Sequence, residues 1–301
     1  MIYTLTLNPA LDHIVRLDYL DLGQTNRMDQ ELIKAGGKGI NVTKLLKNLG
    51  LDSAILGYVG GFTGDELERI LVKDQGLWTD FIHVQKGFTR INVKIKAGLE
   101  TEINGPGLDI SIDEIEALYK KLDQIEDGAY LLLSGSIPKS LGVGFYKDIM
   151  ERLKEKSIKI IVDASGKALE ATLALRPFLV KPNLRELEEI FGLEIKEKKE
   201  ISFYAKKLQD LGAKNIMVSL GKVGAYMVDI SGKEYFIRAP EGKLVDSVGS
   251  GDSMVAGFVY GIEKGFSFED ILKFSVACGS ATAFSENIGT KEEIYKLYKK
   301  M

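Results

Sequence analysis

Four short runs decide the fold: Tyr130-Leu131-Leu132-Leu133, Lys159-Ile160-Ile161-Val162, Phe178-Leu179-Val180 and Asn215-Ile216-Met217-Val218-Ser219-Leu220. Each is nearly continuous in apolar residues rather than alternating, the pattern of a strand buried on both faces, and helical segments of ten or more residues are read between them. Strands of this kind pair in parallel, with helices over both faces of the sheet. Working outward, the same rhythm begins at the N-terminus, with a strand from Ile2 to Leu7, a helix from about Ile40 to Leu49, a strand from Ser53 to Val59 and a helix from about Asp65 to Asp74. Ser111-Ile112-Asp113-Glu114 is a capping box that opens a further helix. Helices also run from about Gly251 to Lys264 and from Phe268 to Ser285.

Two stretches break the rhythm. His13 to Ile33 and Thr89 to Ile103 alternate apolar and polar residues, as strands with one wet face do, most clearly in Thr89-Arg90-Ile91-Asn92-Val93-Lys94-Ile95-Lys96. They predict a small antiparallel flap, built from insertions at about 13–34 and 88–105, over one edge of the main sheet. A flap there makes a site closable. With no internal repeat and no low-complexity linker, residues 1–301 read as one α/β domain with a lid.

Composition narrows the chemistry. Forty Lys and Arg against forty-three Asp and Glu give a net charge of -3, without the basic excess that a nucleic-acid partner requires. The apolar stretches, such as Ala129 to Leu133, fall far short of the roughly 18 residues that suggest a membrane span. The N-terminal MIYTLTLNPALD has no cationic region and alternates as a strand does, so a cytoplasmic location is expected. Cys278 is the single cysteine, which excludes an internal disulfide and a thiolate zinc cage. His13 and His83 are too few for a three-histidine metal site, so acid/base chemistry falls to carboxylates.

Two glycine clusters stand out. Ala35-Gly36-Gly37-Lys38-Gly39-Ile40-Asn41 lies where the flap ends and a helix begins, and it offers backbone N–H groups and a mobile cation to an anionic or polyhydroxyl ligand. Val248-Gly249-Ser250-Gly251-Asp252-Ser253 precedes an apolar helix, whose first N–H groups form a cradle for a transferring phosphoryl group. Asp252 beside that cradle is either a general base or a capping residue. Rossmann spacing fails, because Met254 stands where a third glycine is needed, and no Gly-Lys pair is followed by Ser or Thr as a Walker A loop demands. Asn183 and Glu186 either orient water on Mg²⁺ or cap a helix. Ser219-Leu220-Gly221-Lys222-Val223-Gly224 is either a bed for a nucleotide or a hairpin turn.

Taken in order, GGKGIN (Gly36 to Asn41) and DSVGSGDSMVAG (Asp246 to Gly257) resemble the two signatures of the PfkB family of carbohydrate kinases, and the resemblance spans essentially the whole chain. TLNPALD (Thr6 to Asp12), TRINVK (Thr89 to Lys94), SGSIP, VKPNLRELE (Val180 to Glu188) and SLGKVGA (Ser219 to Ala225) match in register. The resemblance implies a ribokinase-like three-layer α/β/α core with a mainly parallel sheet and a small β lid. Lys38 in GGKG and the TRINVK stretch are most similar to members that use ATP to convert fructose 1-phosphate to fructose 1,6-bisphosphate. Tagatose 6-phosphate is the alternative substrate, and a catalytically silent sensor of sugar phosphate or nucleotide is a third reading. Fructose 6-phosphate is disfavoured, since those members carry an arginine where this chain has Glu102-Ile103-Asn104-Gly105-Pro106.

Carried over by residue, the resemblance makes Asp252 the base, with the backbone of Gly249, Ser250 and Gly251 stabilising the transition state. Asp12, Gly36, Gly37 and Asn41 would hold sugar hydroxyls, and Lys38 and Arg90 the substrate phosphate. Arg27 would contribute across a homodimer built through the lid. Asn183 and Glu186 would organise Mg²⁺ through water, with Lys181, Asn183, Ser219, Gly221 and Gly224 near the nucleotide. Cys278, Ser280 and Thr282 either wall the adenine pocket or pack helices.

Overall fold

The computed structural model describes residues 1–301. The chain runs β1 (Ile2–Thr6), β2 (Ala10–Arg16), β3 (Gln30–Gly36), α1 (Lys38–Asn48), β4 (Ser53–Gly60), α2 (Gly61–Arg69), β5 (Trp78–Thr79), β6 (Ile82–Val84), β7 (Arg90–Ala97) and β8 (Leu99–Ile103). It continues through α3 (Ile112–Asp123), β9 (Tyr130–Ser134), α4 (Phe145–Arg152), β10 (Lys159–Asp163), α5 (Gly166–Leu173), β11 (Leu179–Val180), α6 (Leu184–Phe191), α7 (Lys198–Asp210) and β12 (Asn215–Ser219). The hairpin β13 (Ala225–Val228) and β14 (Glu234–Ile237) and the helices α8 (Ser250–Glu263), α9 (Phe268–Ala283) and α10 (Lys291–Tyr298) complete it.

The main sheet has the order β14-β13-β12-β11-β10-β9-β1-β4-β5, with β6 also paired to β4. The four decisive runs are neighbours in it, β9 to β12, and all pair in parallel. Their continuous apolar character has a direct cause. Leu131, Leu133, Ile160 and Val162 point into one core with Leu118 of α3, Tyr146 of α4, Leu169 of α5 and Leu208 of α7. Tyr130, Leu132 and Ile161 point into the other, with Leu45 of α1, Phe258 of α8 and Phe274 of α9. A strand between two such layers has no wet face, and burying each large apolar side chain contributes roughly 1.5–3 kcal/mol. No helix is long and apolar enough to cross a membrane.

Several expectations need correction. Helices α4, α5 and α6 have eight residues each, shorter than the ten or more read from the spacing. Strand β11 is only Leu179–Val180, bracketed by Pro177 and Pro182, which cannot donate to a ladder. Helix α2 begins at Gly61 rather than Asp65, and its continuation Ile70–Asp74 widens to i→i+5 bonding. The flap is a mixed sheet, β3-β2-β7-β8, not an antiparallel one. Its two hairpins are antiparallel, but β2 and β7 meet in parallel, Ala10 opposite Arg90 through Arg16 opposite Lys96. This follows from their origin: β1 and β6 both run parallel to β4, and β2 and β7 leave their carboxyl ends in the same direction. Residues 17–29, included in the predicted alternation, form no strand.

Candidate active site

The carboxyl ends of β1, β9, β10, β11 and β12 open into a cavity of about 710 Å³ beneath the lid. Asn8, Ser134, Ser136, Ser165, Lys181 and Ser219 line its floor, α1 contributes Lys38 and Asn41, and α8 contributes Gly249, Gly251 and Asp252. Even-numbered lid residues face it, because side chains alternate across a strand: Asp12 of β2, and Arg90, Asn92 and Lys94 of β7.

Gly249 is in the left-handed region, φ 80°, which turns the chain into α8 at a sharp angle. Three residues on, Asp252 is buried in the first turn and its Oδ2 accepts a 2.8 Å hydrogen bond from Asn41 Nδ2. Burial, and after it the charge of Asp163, push the Asp252 carboxyl up to about 6, against the pull of Lys38, Asn41 and Lys181. Asp163 ends β10, fully buried, and its Oδ1 lies 3.3 Å from Lys38 Nζ and 3.5 Å from Lys181 Nζ. Burial alone would raise the Asp163 carboxyl, but Lys181 and Lys38 outweigh it and hold it below its ordinary value. The charge of Asp163 in turn holds Lys38 protonated, well above the usual lysine range.

At the lid, Lys94 Nζ lies 3.1 Å from Asp12 Oδ2, and Asn92 Nδ2 donates to Asp12 Oδ1 at 3.0 Å. Gly36 supports this arrangement without lining the cleft: a Cβ there would stand 2.4 Å from Asp12 Oδ2. Arg90 donates from Nη2 to the Asn8 carbonyl at 2.8 Å and from Nη1 to the Gly105 carbonyl at 3.3 Å. Its pKa is lowered by burial, with Asp12 opposing.

Asn183 and Glu186 form the capping box of α6: Asn183 Oδ1 accepts from the Glu186 N–H at 2.9 Å, and Glu186 Oε2 accepts from the Asn183 N–H at 2.8 Å. Both still line the cleft, and Glu186 Oε1 has no protein partner. Ser219 reaches the cleft, whereas Gly221 and Gly224 form the tight turn between β12 and β13.

The remaining candidates lie elsewhere. Arg27 is exposed on the loop between β2 and β3. Cys278 is fully buried against α8, where a Cβ on Gly257 would stand 3.0 Å from its Sγ. Thr282 Oγ1 pairs with Ser253 Oγ at 2.7 Å, and Ser280 is buried on the same helix. All three lie on α9, which packs against α8, and none lines the cleft. Ser250, the first residue of α8, is not among the residues that line the cleft, and its Oγ is buried without a partner.

Asp163, Lys94, Asn92 and Asn8 are site residues that the sequence reading does not single out. For Asp163 the available signal was position, a charged residue closing the apolar run Ile160-Ile161-Val162 at the carboxyl end of a parallel strand. Three buried side-chain atoms without partners, Thr6 Oγ1, Ser134 Oγ and Arg90 Nε, belong to residues that line this cleft.

A family model described as pfkB family carbohydrate kinase matches residues 5–294. The chain belongs to this family. Among its PfkB relatives, the 1-phosphofructokinase of Bacillus subtilis is 44% identical over 297 residues, covering 99% of this chain and 97% of that protein. The D-tagatose-1-phosphate kinase of Bacillus licheniformis is 38% identical over 290 residues, covering 96% and 94%. The crystal structure of phosphofructokinase-2 from Escherichia coli in complex with fructose-6-phosphate superposes with a TM-score of 0.92 at 31% identity, covering 99% of this chain and 98% of that one. The fold is therefore ribokinase-like, and this PfkB protein is an ATP-dependent sugar-phosphate kinase.

Proposed function

We propose that this PfkB kinase transfers the γ-phosphoryl group of ATP to fructose 1-phosphate, releasing fructose 1,6-bisphosphate and ADP in the cytoplasm. The observation that carries the reading is Asp252, buried in the first turn of α8 with its carboxyl at about 6 and two lysines gathered beside it on Asp163. A carboxylate with that pKa is ionised at neutral pH yet basic enough to take a proton. As the sugar hydroxyl oxygen bonds to the γ-phosphorus, Asp252 accepts the hydroxyl proton and the bond to the β,γ-bridging oxygen breaks. The N–H groups of Gly249, Ser250 and Gly251, with Lys181, meet the charge on the phosphoryl oxygens.

Asp12, Asn41 and the Gly37 backbone hold sugar hydroxyls, and Lys38 and Arg90, joined by Lys94, meet the phosphate already on the sugar. Lys181, Asn183, Ser219, Gly221 and Gly224 face the nucleotide. The oxygen donors of Glu186, whose Oε1 is free, and of Asn183 line the cleft and suit Mg²⁺, which they would reach through water while nucleotide phosphates hold the ion. When bound, it neutralises charge on the phosphates. The lid face turned away from the cleft exposes Ile33, Ile91, Leu99 and Ile103, which supports a homodimer through the lid with Arg27 contributing across it.

The Bacillus licheniformis relative favours tagatose 1-phosphate as the second reading over tagatose 6-phosphate, since both of these 1-phosphates present the same end of the ketose. A coupled ADP-release assay with Mg²⁺ compares kcat/KM for fructose 1-phosphate, tagatose 1-phosphate, tagatose 6-phosphate and fructose 6-phosphate. Fructose 1-phosphate is expected to lead by about a hundredfold, roughly 2.7 kcal/mol of differential transition-state binding. A lead for either 6-phosphate would overturn the phosphate placement, and ATP binding without turnover on any ketose phosphate would favour a sensor.

A further inference from the structure

A second cavity, of about 430 Å³, lies at the hinge of the lid, within the usual size of a small-ligand site. The lid strand β3, the outward face of α1 and the loop at 285–288 enclose it. Five lysines line it, Lys34, Lys44, Lys47, Lys94 and Lys96, against three carboxylates, Asp12, Asp246 and Glu286. Two of those carboxylates are already engaged, Asp12 by Lys94 and Asp246 by Lys96, each at 3.1 Å.

Lys34, Lys44 and Lys47 have no carboxylate at ion-pair distance. Lys34 donates to the Glu286 carbonyl and to Asn287 Oδ1, both at 2.9 Å, Lys44 donates to the Ala35 carbonyl at 2.7 Å, and Lys47 donates to the carbonyls of Gln75 and Gly76. Burial, and then the nearby charge of Lys34, push Lys44 down to about 8, with Asp12 opposing. Burial likewise lowers Lys34, with Asp246 and Glu286 opposing. Lys34 repels Lys44 across this cavity and neither is ion-paired, so an anion bound beside them and Lys47 would relieve that repulsion.

We propose that this hinge cavity binds a small phosphate-bearing anion through Lys34, Lys44 and Lys47, separately from the catalytic cleft. The anion bridges lid and core by linking β3 to α1. Asp12 and Asn41 line both cavities, which places the anion next to the catalytic cleft.

Inorganic pyrophosphate is the probe, titrated calorimetrically into the full-length Arg90→Gln protein saturated with a non-hydrolysable ATP analogue, which occupies the phosphate contacts that the cleft retains. One pyrophosphate is expected to bind per chain. Adding Lys44→Gln and Lys47→Gln should weaken it at least tenfold, and Lys44→Arg with Lys47→Arg should restore it. In the wild-type background, Lys44→Gln/Lys47→Gln should keep kcat without pyrophosphate within about twofold, which also reports that the chain is folded. Absence of binding to Arg90→Gln, or binding indifferent to the glutamine substitutions, would overturn the proposal.

Discussion

Removing the Asn41 carboxamide tests how Asp252 is set for proton transfer. Its Nδ2 donates the 2.8 Å hydrogen bond to Asp252 Oδ2, a contact that favours the ionised carboxylate. A hydrogen bond to a charged group is worth roughly 1.5–3 kcal/mol, and each pKa unit corresponds to about 1.4 kcal/mol. Asn41→Ala should therefore move the Asp252 carboxyl from about 6 to roughly 7–8. The assay is kcat/KM for the sugar phosphate between about pH 5 and pH 9.5. With a carboxyl at about 6, the wild-type base is roughly 90% ionised at pH 7 and roughly 10% at pH 5, so the acid limb of the profile falls through pH 6. The variant should lose about two- to tenfold at pH 7 from ionisation alone and regain it above about pH 9. Any weakening of sugar binding lowers the whole profile without moving its limb. A limb that stays at about 6, with equal loss at every pH, would refute the reasoning.

Asp163→Asn removes the neighbouring charge that raises Asp252, so its acid limb should move below 6. It also strips the buried Lys181 and the adjoining Lys38 of their counter-charge, a loss of about 3 kcal/mol or more in urea unfolding. Asp252→Asn should stabilise the fold at pH 8 by about 3 kcal/mol, because a carboxyl raised from 3.8 to about 6 destabilises the native state when ionised. The sign follows from linkage: the ionised-state cost develops between pH 3.8 and about 6, so wild type and variant should converge below that window in denaturant titrations. Gly36→Ala drives a Cβ into Asp12 and should raise KM for the sugar phosphate about tenfold or more, with kcat moving less.

The core was legible because burial on two faces leaves a continuous apolar record, as β9 and β10 show. The parallel junction of the lid was not, because alternation reports one wet face and not the direction of the neighbouring strand. The glycine loops at Gly36 and Gly249 were readable as local motifs, since each is contained in a few consecutive residues; for Asp252 those residues allowed both a base and a helix cap, and the family resemblance favoured the base. Asp163 and Lys94 were not, because each acts through partners brought near by the fold, Lys38 and Lys181 in one case and Asp12 in the other. Asn183 and Glu186 show the remaining ambiguity: one spacing makes both a helix cap and a cleft wall.

The most direct test of the account is turnover of Asp252→Asn with fructose 1-phosphate, ATP and Mg²⁺, measured beside substrate affinity. Loss of a general base predicts a fall in kcat of about a hundredfold or more, with both KM values within a few-fold of wild type. Near-full turnover by that variant would contradict the assignment of Asp252 as the base.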